Sequence, residues 1–458
     1  MKTMTVAEVA SAVGAKILQG NPKRYVYGVS IDTRQLERSQ LFFALRGERF
    51  DAHDFVLQAV QAGASGIVVE RFIPGLPAEA NVLQVADTLS ALQKLARYNR
   101  DKFHAPVVAV TGSSGKTTTK DMIAAVLSVR LNTLKTTGNL NNEIGLPLTL
   151  LKLGDQHQAV VVEMAMRGAG EIDFLCRLAR PTAAVITNIG EAHLERLGSI
   201  EEIAGVKGEL LDHIPAGGFA VLNAHSTYMR RQAPRCQGKV LFFGTYEGVE
   251  IRASNICPDG GGNYFTVEAG GERSEMYVPL PGPHNVFNAL SAIGVAREMG
   301  FSLPEIAKGL ASVVLSGMRL DVVQAGNVTV INDTYNANPS SVRAALEVLL
   351  ETACTRRKLA VLGDMLELGE AAFAFHHQLG EAFVSAGVYY LLTVGDLARH
   401  IAAGALASGL PAGRIFECNS NKHAVEVLRE LLVAEDVVLV KGSRNMRMEE
   451  IVEALCNH

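Results

Sequence analysis

Eight short apolar runs constrain this chain more than any other feature: Val107–Val110, Ala159–Val162, Ala183–Ile186, Phe219–Leu222, Val328–Ile331, Leu359–Leu362, Tyr390–Val394 and Val437–Val440. Four of them stop directly at Gly or Asn and three more reach one a residue later, and patterns of helical period lie between them. A strand that alternates apolar and polar residues has one wet face, whereas a continuous run of this length is covered on both faces, as in a parallel sheet with helices packed outside. The runs fall into two groups, one from about residue 106 to about 315 and one from about 317 onward, so two doubly wound α/β sheets are expected. Met122, Val126 and Val129 mark one face of the first helix, Ser199 with Glu202 has the form of a capping box, and Asp259-Gly260-Gly261-Gly262-Asn263 reads as a hairpin turn. The basic and polar stretch Arg97–His104 precedes the first run. A chain of 458 residues suits about three domains, taken here as 1–105, 106–316 and 317–458.

Composition narrows the function. A net charge of −4 provides no basic field for a nucleic acid, and no apolar stretch is long enough to span a bilayer. The N-terminus meets Glu8 before any signal-peptide core develops, so a cytoplasmic protein without membrane insertion is expected. Six cysteines, at 176, 236, 257, 354, 418 and 456, are scattered without metal-site spacing and read as reduced thiols.

The clearest chemical signal follows the first run. Gly112-Ser113-Ser114-Gly115-Lys116-Thr117-Thr118 joins a strand to a helix. The usual eight-residue spacing would carry a further, earlier glycine, but the order of strand, glycine-rich loop, Lys-Thr and helix is that of a nucleotide cradle. Gly112 and Gly115 let backbone N–H groups turn toward a polyphosphate, Lys116 supplies a compact cation, and Thr117 offers a hydroxyl to a magnesium ion. Lys-Thr-Thr-Thr is a poor helix opening, which favours a functional reason for these residues over a plain turn. Glu163 ends one buried run and His193 follows another, and ligands of open α/β sheets gather at such strand ends. Glu163 suits magnesium; His193 suits either the metal or phosphate.

Thr111–Lys120 resembles the signature of the Mur ligase family, the amide-forming ATPases of peptidoglycan assembly, and the resemblance extends over essentially the whole chain. It implies a small mixed α/β N-terminal domain, a central P-loop ATPase domain with a mostly parallel sheet and a C-terminal Rossmann-like domain. It also implies ATP with two Mg2+ ions, held by Thr117, Glu163, His193 and a carbamate that CO2 forms on Lys207. Lys116, Glu163, His193 and Lys207 are then the catalytic set. Asn139, Asn141 and Asn142 match a loop beside the reacting groups. Asn288, with Asn285, matches the adenine-contacting helix start, and Arg319 and Asp333 match residues reaching toward ATP. For several of these a plain alternative stands: helix capping for Asn285, a simple loop for the three asparagines, a solvated lysine for Lys207.

The C-terminal third carries the substrate signal. Asn332-Asp333-Thr334-Tyr335-Asn336-Ala337-Asn338-Pro339-Ser340 resembles the dipeptide-adding branch of the family, as do Leu362–Gly369 with His376 and Lys441–Glu449. The motifs of the branch that adds the third amino acid are missing. The implied partners are a UDP-muramoyl tripeptide and D-alanyl-D-alanine, with Tyr335 and Asn338 shaping the cleft, Lys441 and Arg444 suited to a carboxylate, and a monomer expected. Ser30, Asp32, Thr33 and Arg34, with Phe43–Phe55, resemble the segment that holds the UDP-muramoyl end. Ala52 and Ala165 stand where the family has glycine, and a loop needing positive φ would resist them.

Overall fold

The structure is a computed structural model that describes residues 1–47, 50–259, 261–315, 317–352 and 356–457; Glu48, Arg49, Gly260 and Cys354 of the sequence features above lie outside these ranges. Three α/β lobes follow one another along the chain. The first is built on a five-stranded sheet in the order Lys16–Gln19, Val82–Gln84, Gly66–Val69, Leu41–Phe43, Val29–Ser30, antiparallel only at its first pair. Helix α1 (Thr88–Asp101) starts where the Asp87 side chain accepts from Ser90 N. It buries Leu92, Leu95 and Ala96 in a core shared with the second lobe. Its last turn is no solvated linker: Asn99 Nδ2 donates to the carbonyls of Leu150 and Leu153, and the buried Arg100 donates to those of Ala179 and Phe103.

The second lobe holds β1 (Val107–Thr111), α2 (Lys116–Leu127), β2 (Thr133–Lys135), β3 (Ala159–Glu163), β4 (Ala183–Ile186), α3 (Ile200–Asp212), β5 (Phe219–Asn223), β6 (Lys239–Gly244), β7 (Ile251–Pro258), β8 (Asn263–Ala269), β9 (Glu272–Val278) and α4 (His284–Glu298). Its sheet runs β9-β8-β7-β6-β5-β4-β1-β3-β2. From β2 to β7 every pair is parallel, and every residue of β1, β3 and β4 is buried, as the unbroken apolar runs require. β7, β8 and β9 add an antiparallel extension, and between β7 and β8 Asp259 Oδ1 accepts from Gly261 N and Gly262 N. Ser199 caps α3 by accepting from Glu202 N, while the complete reciprocal box is at Ser302 and Glu305. α2 ends at Leu127, so Val129 of the expected apolar face lies beyond it, partly buried against the same core.

The third lobe comprises β10 (Asp321–Ala325), β11 (Val328–Asn332), α5 (Pro339–Thr352), β12 (Lys358–Gly363), β13 (Tyr390–Val394), β14 (Ile415–Cys418) and β15 (Val437–Lys441). Its sheet order is β10-β11-β15-β12-β13-β14, parallel except for the β10–β11 edge. Ala52 and Ala165 both keep negative φ, so neither loop needs the glycine that its sequence neighbours suggest.

Candidate active site

The carboxyl ends of β1, β3 and β4 open onto a cavity of about 1130 Å³ whose far wall is the third lobe. β1 delivers the chain to Gly112, whose φ of 152° and closeness to Thr187 leave no room for a side chain. Ser113 N and Ser114 N donate to the backbone and side-chain oxygens of Asn188, at 3.1 and 2.9 Å, so β4 braces the loop. Gly115, at φ 74°, turns the chain into α2. Lys116 Nζ then folds back to donate to Gly112 O at 2.7 Å, and desolvation holds its pKa below the usual lysine value, opposed by Glu163 and reinforced by Arg319.

The three threonines are all engaged or enclosed. Thr117 Oγ1 donates to Glu163 Oε2 at 2.7 Å, Thr119 Oγ1 donates to Asn288 Oδ1 at 3.1 Å, and Thr118 is buried against the cavity. Glu163, buried at the end of β3, also accepts from Asn141 Nδ2 at 2.8 Å. Among the described residues no group of three His, Cys, Asp or Glu side chains forms a ready-made metal cage. What is present, one ionisable carboxylate touching a loop hydroxyl, fits a hard cation that keeps water and phosphate oxygens in its shell.

Lys207, on α3, is 1 % exposed, and none of the ion pairs among the described residues includes it. Burial, and after it the charge of Lys116, pushes its pKa well below that of a free lysine. The solvated, Glu-paired alternative is therefore wrong for this residue. Burial of this kind disfavours the charged ammonium form.

His193 sits at φ 65° in the mouth of the cavity, its Nδ1 2.6 Å from Glu367 Oε2 of the third lobe. From the same lobe come Arg319, whose guanidinium carbon lies 3.9 Å from the centre of the Tyr335 ring, and Asp333, paired with the buried Lys441. Lys441 Nζ also donates to Asn336 O at 2.9 Å, which leaves Arg444, itself 3.0 Å from Glu449, as the more accessible cation. Asn338 Oδ1 accepts from Ser341 N at 2.8 Å and caps α5 while lining the cavity.

The chain matches three family models in succession: the Mur ligase family catalytic domain over residues 25–100, the Mur ligase middle domain over 110–296, and the Mur ligase glutamate ligase domain over 318–444. It belongs to the Mur ligase family. A Bacillus subtilis relative named UDP-N-acetylmuramoyl-tripeptide–D-alanyl-D-alanine ligase is 39% identical over 455 residues, 98% of each chain. A crystal structure of MurF from Acinetobacter baumannii superposes with a TM-score of 0.89 at 34% identity over the full length of both chains. The MurF ligase of Thermotoga maritima in complex with ADP superposes with a TM-score of 0.82 at 30% identity, over 94% of this chain and 97% of that one.

In this Mur ligase the cavity gathers most residues expected from sequence: Ser113, Ser114, Gly115, Lys116, Thr118, Asn139, Asn141, Asn142, Glu163, His193, Asn285, Asn288, Arg319, Asp333, Tyr335 and Asn338. Gly112, Thr117 and Lys207 do not line it; the first two belong to the same loop, and Lys207 is near enough to Lys116 to feel its charge. Asn288 and Asn285 are less free than expected, because Asn288 Nδ2 donates to Asn285 Oδ1 at 3.0 Å and Asn285 Nδ2 to Pro281 O at 2.8 Å. Ser30, Asp32, Thr33 and Arg34 are not brought to the cavity. They form a turn of their own in the first lobe, with Arg34 on the Asp32 carboxylate and Thr33 Oγ1 on Gln58.

Two wall histidines were given no role by the sequence reading. His225 packs edge-on against Phe287 at 5.3 Å and Tyr246 at 5.0 Å. His284 has a buried, unpartnered Nδ1 among the described residues, and desolvation together with Lys441 lowers its pKa to about 4. No local signal marks either histidine, since each gains meaning only from partners distant in sequence.

Proposed function

We propose that this chain is an ATP-dependent ligase that joins D-alanyl-D-alanine to UDP-N-acetylmuramoyl-tripeptide, giving the pentapeptide precursor, ADP and phosphate. The observation that carries the reading is a single cavity in which a phosphate loop on one lobe faces the Asp333–Ser340 motif on another, in a chain that aligns end to end with relatives of that name. The ADP complex of the Thermotoga maritima MurF ligase supports ATP as the nucleotide.

The reaction needs two displacements. An oxygen of the tripeptide carboxylate attacks the γ-phosphorus as the bond to ADP breaks, giving an acyl phosphate. The neutral dipeptide amine then attacks the acyl carbon, and phosphate leaves as the new amide nitrogen gives up its proton. Positioning and charge stabilisation carry such steps. Lys116 and the N–H groups of the loop neutralise the β- and γ-oxygens, and Asn139, Asn141 and Asn142 orient the carboxylate without adding charge. Arg319 and Asp333 approach ATP from the third lobe, Asn285 and Asn288 from α4, and Tyr335, Asn338 and Arg444 border the dipeptide. Two Mg2+ ions, held by Thr117, Glu163, His193 and carbamylated Lys207, would supply further neutralisation of the phosphates. Ser30, Asp32, Thr33 and Arg34 hold the UDP-muramoyl end, so the substrate spans from the first lobe to the cavity. We assign residues 1–105, 106–316 and 317–458 to these three tasks and take the enzyme to be a cytoplasmic monomer. Among the described residues no helix is long and apolar enough to cross a membrane.

The test is ADP release by the purified chain given ATP, Mg2+ and the UDP-linked tripeptide. Release that depends on D-alanyl-D-alanine and not on a single amino acid supports the reading. Release without an acceptor, or with the UDP-linked dipeptide and an amino acid in its place, refutes it.

A further inference from the structure

Glu367 belongs to the third lobe, yet its side chain ends on the second. Its Oε2 lies 2.6 Å from His193 Nδ1, and its backbone carbonyl accepts from Glu195 N at 3.1 Å. Both ends of this bridge are held in a backbone conformation that L-residues seldom adopt, φ 65° at His193 and φ 64° at Glu367. The two backbones come so close that a Cβ on Gly369 would stand 3.2 Å from Glu195 Cα. Such a pairing of strained loops across two lobes persists only where surrounding contacts over-determine it. His193 lines the cavity; Glu367 does not.

A histidine has two ring nitrogens, and a partner on one fixes both the tautomer and the direction of the other. With Nδ1–H donating to a carboxylate, Nε2 is left with its lone pair free for a metal ion. We propose that Glu367 is a positioning residue: reaching from the C-terminal lobe, it sets the His193 ring so that Nε2 serves the magnesium site only when that lobe is docked. The inference rests on the metal role of His193 given above. Its consequence is coupling. Docking of the lobe that carries the acceptor site tightens metal binding, and by reciprocity metal binding favours the docked lobe.

The full chain, with a non-hydrolysable ATP analogue, is titrated with Mn2+ and free metal is read by electron paramagnetic resonance. Glu367 is half-exposed, so Glu367→Ala is expected to fold. Its Mn2+ affinity falls about 10- to 100-fold, the range typical of lost outer-shell partners, while affinity for the nucleotide without metal stays unchanged. Glu367→Gln keeps an oxygen acceptor for Nδ1–H and recovers most of the loss. On a His193→Ala background, Glu367→Ala adds nothing further. Mn2+ affinity of Glu367→Ala within twofold of the parent overturns the inference, as does an undiminished effect in the His193→Ala background. If the parent chain releases ADP in an acceptor-dependent way and His193→Ala binds Mn2+ normally, the ligase reading survives and this inference falls.

Discussion

Replacing Gly115 by alanine separates the shape of the phosphate loop from its charge. Gly115 has φ 74°, and an added Cβ would stand 2.6 Å from Asn288 Oδ1, the atom that accepts from Thr119. The left-handed backbone costs an L-residue about 1–2 kcal/mol. Moving the Asn288 amide aside gives up a hydrogen bond to Thr119 or Asn285, about 1 kcal/mol more. If the loop must hold this conformation to receive the nucleotide, the sum of about 2–3 kcal/mol appears in binding, and ATP affinity falls on the order of 30- to 150-fold. The assay is equilibrium binding of a fluorescent ATP analogue to the full chain, which avoids assuming all-or-none unfolding in a three-lobed protein. Gly14, at φ 71° with open space around it, is the control. Gly14→Ala carries the backbone cost alone, far from the cavity, and leaves ATP affinity unchanged. Adding Asn288→Ala removes the clashing oxygen, so the double variant should lose about 1 kcal/mol less than the sum of the singles. Affinity of Gly115→Ala within threefold of the parent, or strict additivity with Asn288→Ala, would refute the reasoning.

Lys207→Ala should abolish most turnover with little change in ATP affinity, and added bicarbonate should not restore it; unchanged turnover would remove Lys207 from the mechanism. Because burial lowers the folded-state pKa of Lys207 well below the free value of 10.5, the unfolded chain binds the extra proton, and stability rises with pH between the two values. Lys207→Met should therefore raise the thermal midpoint in CO2-free buffer at pH 7, and calorimetry should show the gain vanishing as pH approaches 10.5. Asn141→Leu leaves Glu163 without one of its two side-chain donors and should raise the Mg2+ concentration for half-maximal turnover about 10-fold or more, with ATP affinity at saturating Mg2+ unchanged. Lys441→Met strands the Asp333 carboxylate in a buried site and should destabilise the third lobe by about 3–5 kcal/mol; Asp333→Leu in the same chain should recover much of that in urea unfolding.

The fold was readable where one strand carried its own evidence. Val107–Val110 and Ala183–Ile186 are buried on both faces, and a continuous apolar run says so without reference to any neighbour. The antiparallel extension was hidden beyond its hairpin turn. β7 is half-exposed and its register shifts between Ser254 and Cys257, so neither alternation nor a run survives in the sequence. The phosphate loop was likewise legible because its parts are seven consecutive residues. Asn338 shows the opposite problem, since a helix cap and a cavity-lining amide need the same residue and the structure finds it doing both.

What remained out of reach is the set of long-range contacts around the site: His193 with Glu367 across two lobes, 174 residues apart, and Asp333 with Lys441 within the third, 108 apart. Each of these residues stands in a stretch the sequence singles out, but nothing local pairs it with its partner. This division has a physical consequence. The local parts, from Gly112 to Thr119, form a nucleotide cradle braced within the second lobe. The Asp333–Lys441 pair is built within the third lobe, but the His193–Glu367 contact exists only while that lobe is docked on the second. A site divided in this way can bind ATP before the lobes engage, yet assembles the surroundings of an acyl phosphate only afterwards, when the amine is at hand and water is excluded.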